Sequence, residues 1–255
     1  MKDSSKYYLT DHYSWVKTET GTFMCAHETA DGLVYSVLSQ DKHTLLEGNA
    51  SYMEFKKNDK LVDSPSAAYI YRIQCPNLWD CIGTNIIRQV IRASQAKNMY
   101  RTFSEYVGER VILTGGIRYH LFPSPQKVLE TPDSTYQRMG MSFKRDALKS
   151  AARFILEHAD RLEKIQAPDL LDELMKIHRV GSWTARATVA DYTNELATYP
   201  YGDAAIRFYA REALPYHEWP KEEVAFIQEL HKVAGVENIS SSIATLIMVH
   251  EIKRG

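Results

Sequence analysis

The chain has 255 residues, of which 44% are hydrophobic and 25% charged, and its 31 Lys+Arg against 32 Asp+Glu give a formal net charge of −1. That length suits one large domain or two modest ones, and the composition is ordinary for a globular protein. The balanced charge excludes a histone-like, polybasic mode of nucleic-acid binding, while leaving room for one local basic face. No apolar run approaches the ~18 residues that a membrane span needs. The polar stretch Met1-Lys2-Asp3-Ser4-Ser5 has no signal-peptide core behind it.

Up to about residue 72 the hydropathy pattern has a two-residue period. Leu33, Tyr35 and Val37 alternate with Val34, Ser36 and Leu38, and Tyr52, Glu54 and Lys56 alternate with Met53, Phe55 and Lys57. Asn58-Asp59 stands between the second run and Leu61-Val62, where a hairpin turn is expected. Thr20-Gly21, Asp31-Gly32 and Glu47-Gly48-Asn49 divide the segment, and residues 68–73 read as a final strand. From Pro76 the period becomes helical: Trp79, Ile82, Ile86, Ile87, Val90 and Ile91 recur at three and four residues, continuing through Met99, Phe103 and Val107. A helix over 147–159 places Leu148, Ala151, Ala152 and Ile155 on one face. Another starts near Pro168, whose fixed φ suits a first turn, and carries Leu170, Leu171, Leu174, Met175 and Ile177. Further helices are expected over 184–192, over 204–213, after Pro220 and near Ser241. The expected fold class is α+β, mainly α. A small antiparallel β-rich domain over 1–74 precedes a multi-helix body over 75–255.

Three cysteines, Cys25, Cys75 and Cys81, are too few and too odd in number for a disulfide scaffold and suit a reducing compartment. Cys75 and Cys81 have no third cysteine or histidine close by in the sequence, so neither a zinc nor an iron–sulfur spacing is present, and their expected role is that of small hydrophobes.

The stretch Ile177-His178-Arg179-Val180-Gly181-Ser182-Trp183-Thr184-Ala185 ends one helix, turns at Gly181 and begins another. The first N–H groups of a helix lack intrahelical partners and point at an incoming anion, so a phosphate can bind there without a basic excess. The same stretch also fits a plain helix–turn–helix corner with glycine as a C-cap. Twenty residues after Trp183 comes Asp203, in Gly202-Asp203-Ala204-Ala205-Ile206-Arg207. An aspartate there is an ordinary N-cap. It is also a fixed carboxylate that can stabilise a neighbouring cation if one oxygen faces it.

Together the hairpin and this acid resemble the helix–hairpin–helix (HhH-GPD) DNA glycosylase superfamily, most closely its DNA-3-methyladenine glycosylase II (AlkA-like) branch. That branch reads Gly-(Val/Ile)-Gly-x-Trp-Thr-Ala at the hairpin and places its catalytic Asp at this distance. Phe122-Pro123-Ser124-Pro125, Met139-Gly140-Met141-Ser142-Phe143-Lys144-Arg145 and Ile86-Ile87-Arg88-Gln89-Val90 resemble other segments of the family in the same order. The resemblance covers roughly residues 76 to 250. The N-terminal sheet matches the family's small β-rich domain in position and character only.

The resemblance implies a monofunctional glycosylase of base excision repair, which flips a damaged base out of the duplex and hydrolyses its N-glycosidic bond. Asp203 would be the catalytic acid, stabilising the oxocarbenium ion or orienting water. Lyases of the family carry a Lys at the position of Trp183, and an indole cannot form a Schiff base; Lys176, seven residues earlier, is no positional substitute. Trp183 would line the base pocket, where an aromatic face suits a cationic alkylated purine, or else it anchors the two hairpin helices. Gln89 and Val90 match the loop that fills the gap left by the flipped base, though Val90 also fits a core position. Arg179, Gly181 and Thr184 would meet the DNA backbone at the hairpin. Arg88, Arg92, Arg145, Lys149, Arg179 and Arg186 are candidates for a basic face.

Some positions depart from the family pattern. Arg179 stands where the family has a first hairpin Gly, and there it either distorts the turn or gains a phosphate contact. Ala187 replaces a second pocket aromatic, and the last helix, Ile243 to His250, lacks a Trp found in some relatives. A less aromatic pocket admits neutral bases such as hypoxanthine or uracil. No catalytic metal or organic cofactor is implied, although the family's hairpin often binds a monovalent cation through backbone carbonyls. His178 and His250 read as ordinary surface or packed histidines, and no Ser-His-Asp spacing or Walker motif occurs. The expected partner is double-stranded DNA containing a damaged base, bound by a monomer away from membranes. The expected location is the cytoplasm, at the nucleoid of a bacterium, or the nucleus of a eukaryote. The competing reading is a non-catalytic helix–hairpin–helix DNA-binding module, against which Asp203 speaks. A helical protein unrelated to DNA would require all the collinear segments to be packing and capping.

Overall fold

Alternating strands and amphipathic helices follow one another along the chain as β1 (Lys6–Leu9), β2 (Val16–Lys17), β3 (Thr22–Thr29), β4 (Gly32–Ser39), β5 (Thr44–Leu45), β6 (Tyr52–Lys56), β7 (Tyr69–Ile73), α1 (Leu78–Arg88), α2 (Ala93–Val107), β8 (Arg110–Leu113) and β9 (Ile117–His120). Eight helices complete the described chain: α3 (Pro125–Glu130), α4 (Asp133–Arg138), α5 (Ser142–Leu162), α6 (Ala167–Leu174), α7 (Ser182–Thr193), α8 (Ala204–Ala213), α9 (Glu223–Ala234) and α10 (Ile239–Arg254). This computed structural model describes residues 6–19, 21–29, 32–39, 44–45, 50–62, 67–162 and 164–254. The expected breaks at Thr20, Asp31 and Glu47-Gly48-Asn49, and the polar Met1–Ser5, lie outside them. Among the described residues no single helix is long and apolar enough to cross a membrane.

The α+β, mainly α class is the observed one. The chain forms two compact units, one of residues 1–10, 52–74 and 194–255 and one of residues 11–51 and 75–193. The change of period at 74/75 falls at one of the places where the chain passes from one unit to the other; the other passages lie at 10/11, 51/52 and 193/194. In the first unit β7 is the central strand of the order β1-β7-β6. It pairs antiparallel with β6, Tyr52 opposite Ile73, but parallel with β1, Tyr7 opposite Ile70, so this sheet is mixed rather than antiparallel. A turn forms at Asn58-Asp59, where the Leu61 N–H donates to the Asn58 carbonyl at 3.1 Å, but Leu61-Val62 is not a strand, so it does not close a tight hairpin. β6 pairs with β7 instead, and Asn58 is buried. Its amide donates to the Ala234 carbonyl at 3.0 Å and to Ser242 Oγ at 2.8 Å, while its backbone N–H donates to Thr245 Oγ1 at 2.9 Å. A buried amide satisfied by α9 and α10 is worth more to the fold than an exposed turn.

In the second unit β2 to β5 form an antiparallel sheet in chain order. Its Met24, Ala26 and Val37 pack against Leu113, Tyr119 and Leu121 of and beside the β8–β9 hairpin. That hairpin lies within the stretch expected to be a multi-helix body. The rest is a helical core around α1, which is buried on every face from Leu78 to Ile87. Ile82, Ile86 and Ile87 are each 0% exposed. Burying each contributes ~1.5–3 kcal/mol, more than the few tenths that a β-branched residue costs a helix. Gly83 is required in that helix, since a Cβ would lie 2.3 Å from the Phe122 ring. Phe122 stacks on Tyr100 with centroids 5.1 Å apart, and Trp79 Nε1 donates to the Pro123 carbonyl at 2.7 Å. The Phe-Pro-Ser-Pro loop is thus fixed against α1, and Ser124 caps α3.

Candidate functional site

The helical period that runs through Val90 and Ile91 in the sequence is broken in the structure, because α1 stops at Arg88 and α2 starts at Ala93. The break is held from both sides. The Gln89 side-chain amide donates to Thr184 Oγ1 at 2.6 Å and to the Arg179 carbonyl at 3.2 Å. The Lys144 ammonium donates to the Gln89 carbonyl at 2.6 Å and to the Ile86 carbonyl at 2.8 Å, capping the negative end of α1. Burial lowers the Lys144 pKa to about 8. Between these anchors Val90 adopts φ 60° and is fully exposed at 101%. A β-branched residue in the left-handed region costs ~1–3 kcal/mol and persists only where its surroundings force it. Val90 is therefore not a core residue.

The hairpin turn has its left-handed residue two positions before the glycine. The Val180 N–H donates to the Ile177 carbonyl at 3.0 Å, and Arg179 takes the left-handed position with φ 65°. The arginine does not distort the turn; it adopts the conformation normally left to glycine, at a cost of ~1–2 kcal/mol. Its guanidinium lies 3.5 Å from Asp146. The neighbouring Arg145, followed by Arg179, holds the Asp146 carboxyl below the usual range. Gly181 is exposed, and nothing lies within 4 Å of where its Cβ would be. The first helical bond of α7 runs from the Ala185 N–H to the Gly181 carbonyl at 3.0 Å, so the amides from Gly181 to Thr184 precede it. The Thr184 side chain does not face outward. It is buried and receives Gln89, so any backbone contact it makes to a ligand is through its amide.

Trp183 is half-buried at the head of α7. The Arg88 guanidinium lies 5.7 Å from its ring centroid, pairs with Asp191 at 3.4 Å and donates to Asn85 Oδ1 at 3.0 Å. Asn85 in turn donates to Asp191 at 2.9 Å. Of the other expected basic residues, Arg145 and Lys149 pair with Asp133 at 2.6 and 3.3 Å. Arg92 and Arg186 are exposed and form no ion pair among the described residues. The turn carbonyls of Leu174, Ile177 and Arg179 accept from the N–H groups of Ile177 and Val180 and from the Gln89 amide.

Asp203 belongs to the other compact unit. It is half-buried at the N-cap of α8, and its Oδ1 accepts from the Ile206 N–H at 2.8 Å. Its own N–H donates to the Pro200 carbonyl at 2.9 Å, and its carbonyl accepts the Arg207 N–H at 3.0 Å. In the same unit His250 is buried, stacks on Tyr209 with centroids 4.0 Å apart and pairs with Glu212, so it is a packed histidine. Ala187, in the helical unit, is wholly buried.

The structure thus gathers Gln89, Val90, Arg179, Gly181, Trp183 and Thr184 around the end of α1 and the start of α7. Sequence reasoning assigned no role to Lys144, Asn85 or Asp191. A signal for Lys144 was present, since it stands on the stripe of α5 that carries Leu148, Ala151 and Ile155.

No protein-family profile matches the chain, and no curated protein matches it in sequence. Solved structures do match it in three dimensions. A 3-methyladenine DNA glycosylase from Archaeoglobus fulgidus is 15% identical, with a TM-score of 0.69 over 94% of this chain and 90% of that one. The Clostridium acetobutylicum 8-oxoguanine glycosylase/lyase in complex with double-stranded DNA is 14% identical, with a TM-score of 0.63 over 94% and 89%. A 3-methyladenine DNA glycosylase of Schizosaccharomyces pombe in complex with abasic DNA is 17% identical, with a TM-score of 0.52 over 67% and 78%. The chain therefore has the fold of the helix–hairpin–helix DNA glycosylases, the fold its hairpin and collinear motifs lead one to expect.

Proposed function

We propose that this protein is a monofunctional DNA glycosylase of base excision repair, acting as a monomer on duplex DNA. The observation that carries the reading is Val90. An exposed apolar residue held in a costly backbone conformation by Gln89 and Lys144 is suited to enter a base stack, where it replaces the stacking lost with the flipped base. The open start of α7 offers amides to a phosphate. Asp203 then supplies the fixed carboxylate. As the bond from sugar to base breaks, the carboxylate stabilises the oxocarbenium ion and takes a proton from the water that adds to it. The head of α7 carries an indole where an amine would be needed for lyase chemistry. Lys176 is engaged with Glu173 at 2.7 Å, and Lys144 is buried against carbonyls.

The substrate class that fits Trp183 by sequence resemblance is an alkylated purine. One observation favours a second reading: Arg88 already presents a cation to that ring, and a second positive charge there would be repelled. Neutral lesions such as hypoxanthine answer this. The test is base release from methylated and from hypoxanthine-containing duplex DNA by the wild type and Asp203→Asn. Borohydride trapping is run in parallel. Release by the wild type alone, with no trapped adduct, is expected. A trapped adduct would overturn the monofunctional reading, and DNA binding without release from either substrate would leave a binding module.

A further inference from the structure

Away from the hairpin, the helical unit buries a second set of reactive side chains. His12 precedes β2, Cys75 precedes α1, and Cys81 lies in the first turns of α1. One ring nitrogen of His12 and the two sulfurs all lie within 4.8 Å of one another. Their exposures are 6%, 1% and 0%. The polar atoms of this cluster are incompletely satisfied. His12 Nδ1 is 2.8 Å from Ser14 Oγ and accepts the Ser14 N–H at 3.3 Å, while Nε2 is buried with no hydrogen-bond partner among the described residues. A buried ring nitrogen beside two thiols lacks the partner that such a group ordinarily has.

We propose that His12, Cys75 and Cys81 bind one zinc(II) ion. Two sulfurs and an imidazole are the donor set that a borderline-soft, tetrahedral cation takes. Metal binding through Nε2 places the ring proton on Nδ1, which then donates to Ser14 Oγ in place of accepting the Ser14 N–H, the kind of orienting bond that metal-bound histidines usually make. Charge selects the divalent ion. As each S–H bond breaks and a sulfur–zinc bond forms, one proton leaves to solvent. Two thiolates then cancel the metal's charge, and the buried cluster is neutral. A monovalent soft ion would leave a buried negative charge. The three donors leave one tetrahedral position for a water. The ion would join the segment before β2 to the N-terminal turns of α1, the helix whose other end carries Gln89. Cys75 and Cys81 alone show no zinc spacing, because the third donor arrives from far upstream.

The test uses the full chain, reduced and desalted after exposure to zinc, with metal content measured per chain. Cobalt(II) is substituted in parallel. One zinc per chain is expected, together with the intense visible bands of tetrahedral cobalt and a thiolate-to-cobalt charge-transfer band. His12→Ala and Cys81→Ala should each lose the tetrahedral bands, whereas Cys25→Ser, a buried cysteine outside the trio, should keep them. Circular dichroism checks that each variant is folded. Because a core variant can fail to fold, the wild type is also melted with and without zinc, and a raised midpoint reversed by chelation is expected. A reduced wild type that retains no zinc, or that binds cobalt only in a weak, thiolate-free form, would overturn the proposal. Equal metal content in wild type and folded His12→Ala would do the same.

Discussion

Two helix starts in this protein solve the same problem in opposite ways. At the head of α7 the residue before the helix is Gly181, which has no side chain and open space where one would be. At the head of α8 it is Asp203, whose carboxylate turns back to the Ile206 N–H. Every helix begins with amides that lack intrahelical partners and with a partial positive charge. An aspartate cap spends that charge inside the protein, whereas a glycine leaves it for a ligand. The cap residue therefore separates a helix start that can bind an anion from one that holds a carboxylate in a fixed place.

Asp203→Asn breaks the comparison most sharply. Asparagine caps a helix about as well as aspartate, so the melting temperature should barely move, while base release falls by ~10²-fold or more. A variant with the wild-type rate would return Asp203 to the role of a plain cap. Gly181→Asp makes α7 resemble α8. It should stabilise the protein by a few tenths of a kcal/mol and weaken duplex binding by roughly tenfold, about 1.4 kcal/mol, in a titration at fixed salt. Unchanged affinity would remove α7 from the DNA interface. Arg179→Gly relieves the left-handed turn. Subtracting the extra chain entropy of glycine, ~0.5–1 kcal/mol, from the ~1–2 kcal/mol of strain leaves a gain of about 0–1.5 kcal/mol by denaturant unfolding. If the guanidinium also meets a phosphate, the salt slope of binding should fall by about one.

The smallest effect is expected just before the hairpin. Arg161, and then Lys176, hold the Glu173 carboxyl down at about 2. Its folded-state pKa lies below its unfolded value, so its contribution is complete above about pH 4.5 and is lost as the pH falls toward 2. Glu173→Gln should flatten the fall of the unfolding midpoint across that window, and an unchanged acid profile would show that the ion pairs contribute nothing.

Much of this was legible along the chain. Residues 204–213 are readable as a helix because Asp203 caps it locally, and α6 starts beside Pro168 for an equally local reason. The hairpin is readable as two helix ends. Its centre is misread, because the glycine signal points to Gly181 while the strained position falls on Arg179. The loop after α1 is hidden by its own apolar residues: Val90 and Ile91 continue the helical period, and only Thr184 and Lys144, brought in from α7 and α5, stop the helix before them.

Period, caps and prolines report near-neighbour physics, in which a residue meets those three or four places away. These signals are enough for the class, most helices, the hairpin and the Asp203 cap. Partners far apart in the chain were settled by the global competition to bury apolar surface and pair every buried polar atom. That competition laid β1 parallel to β7, buried Asn58 against α10, put Lys144 under the loop and brought His12 to Cys75 and Cys81. No periodicity encodes such meetings, because the closing segment lies tens of residues away and any compatible surface could have filled its place.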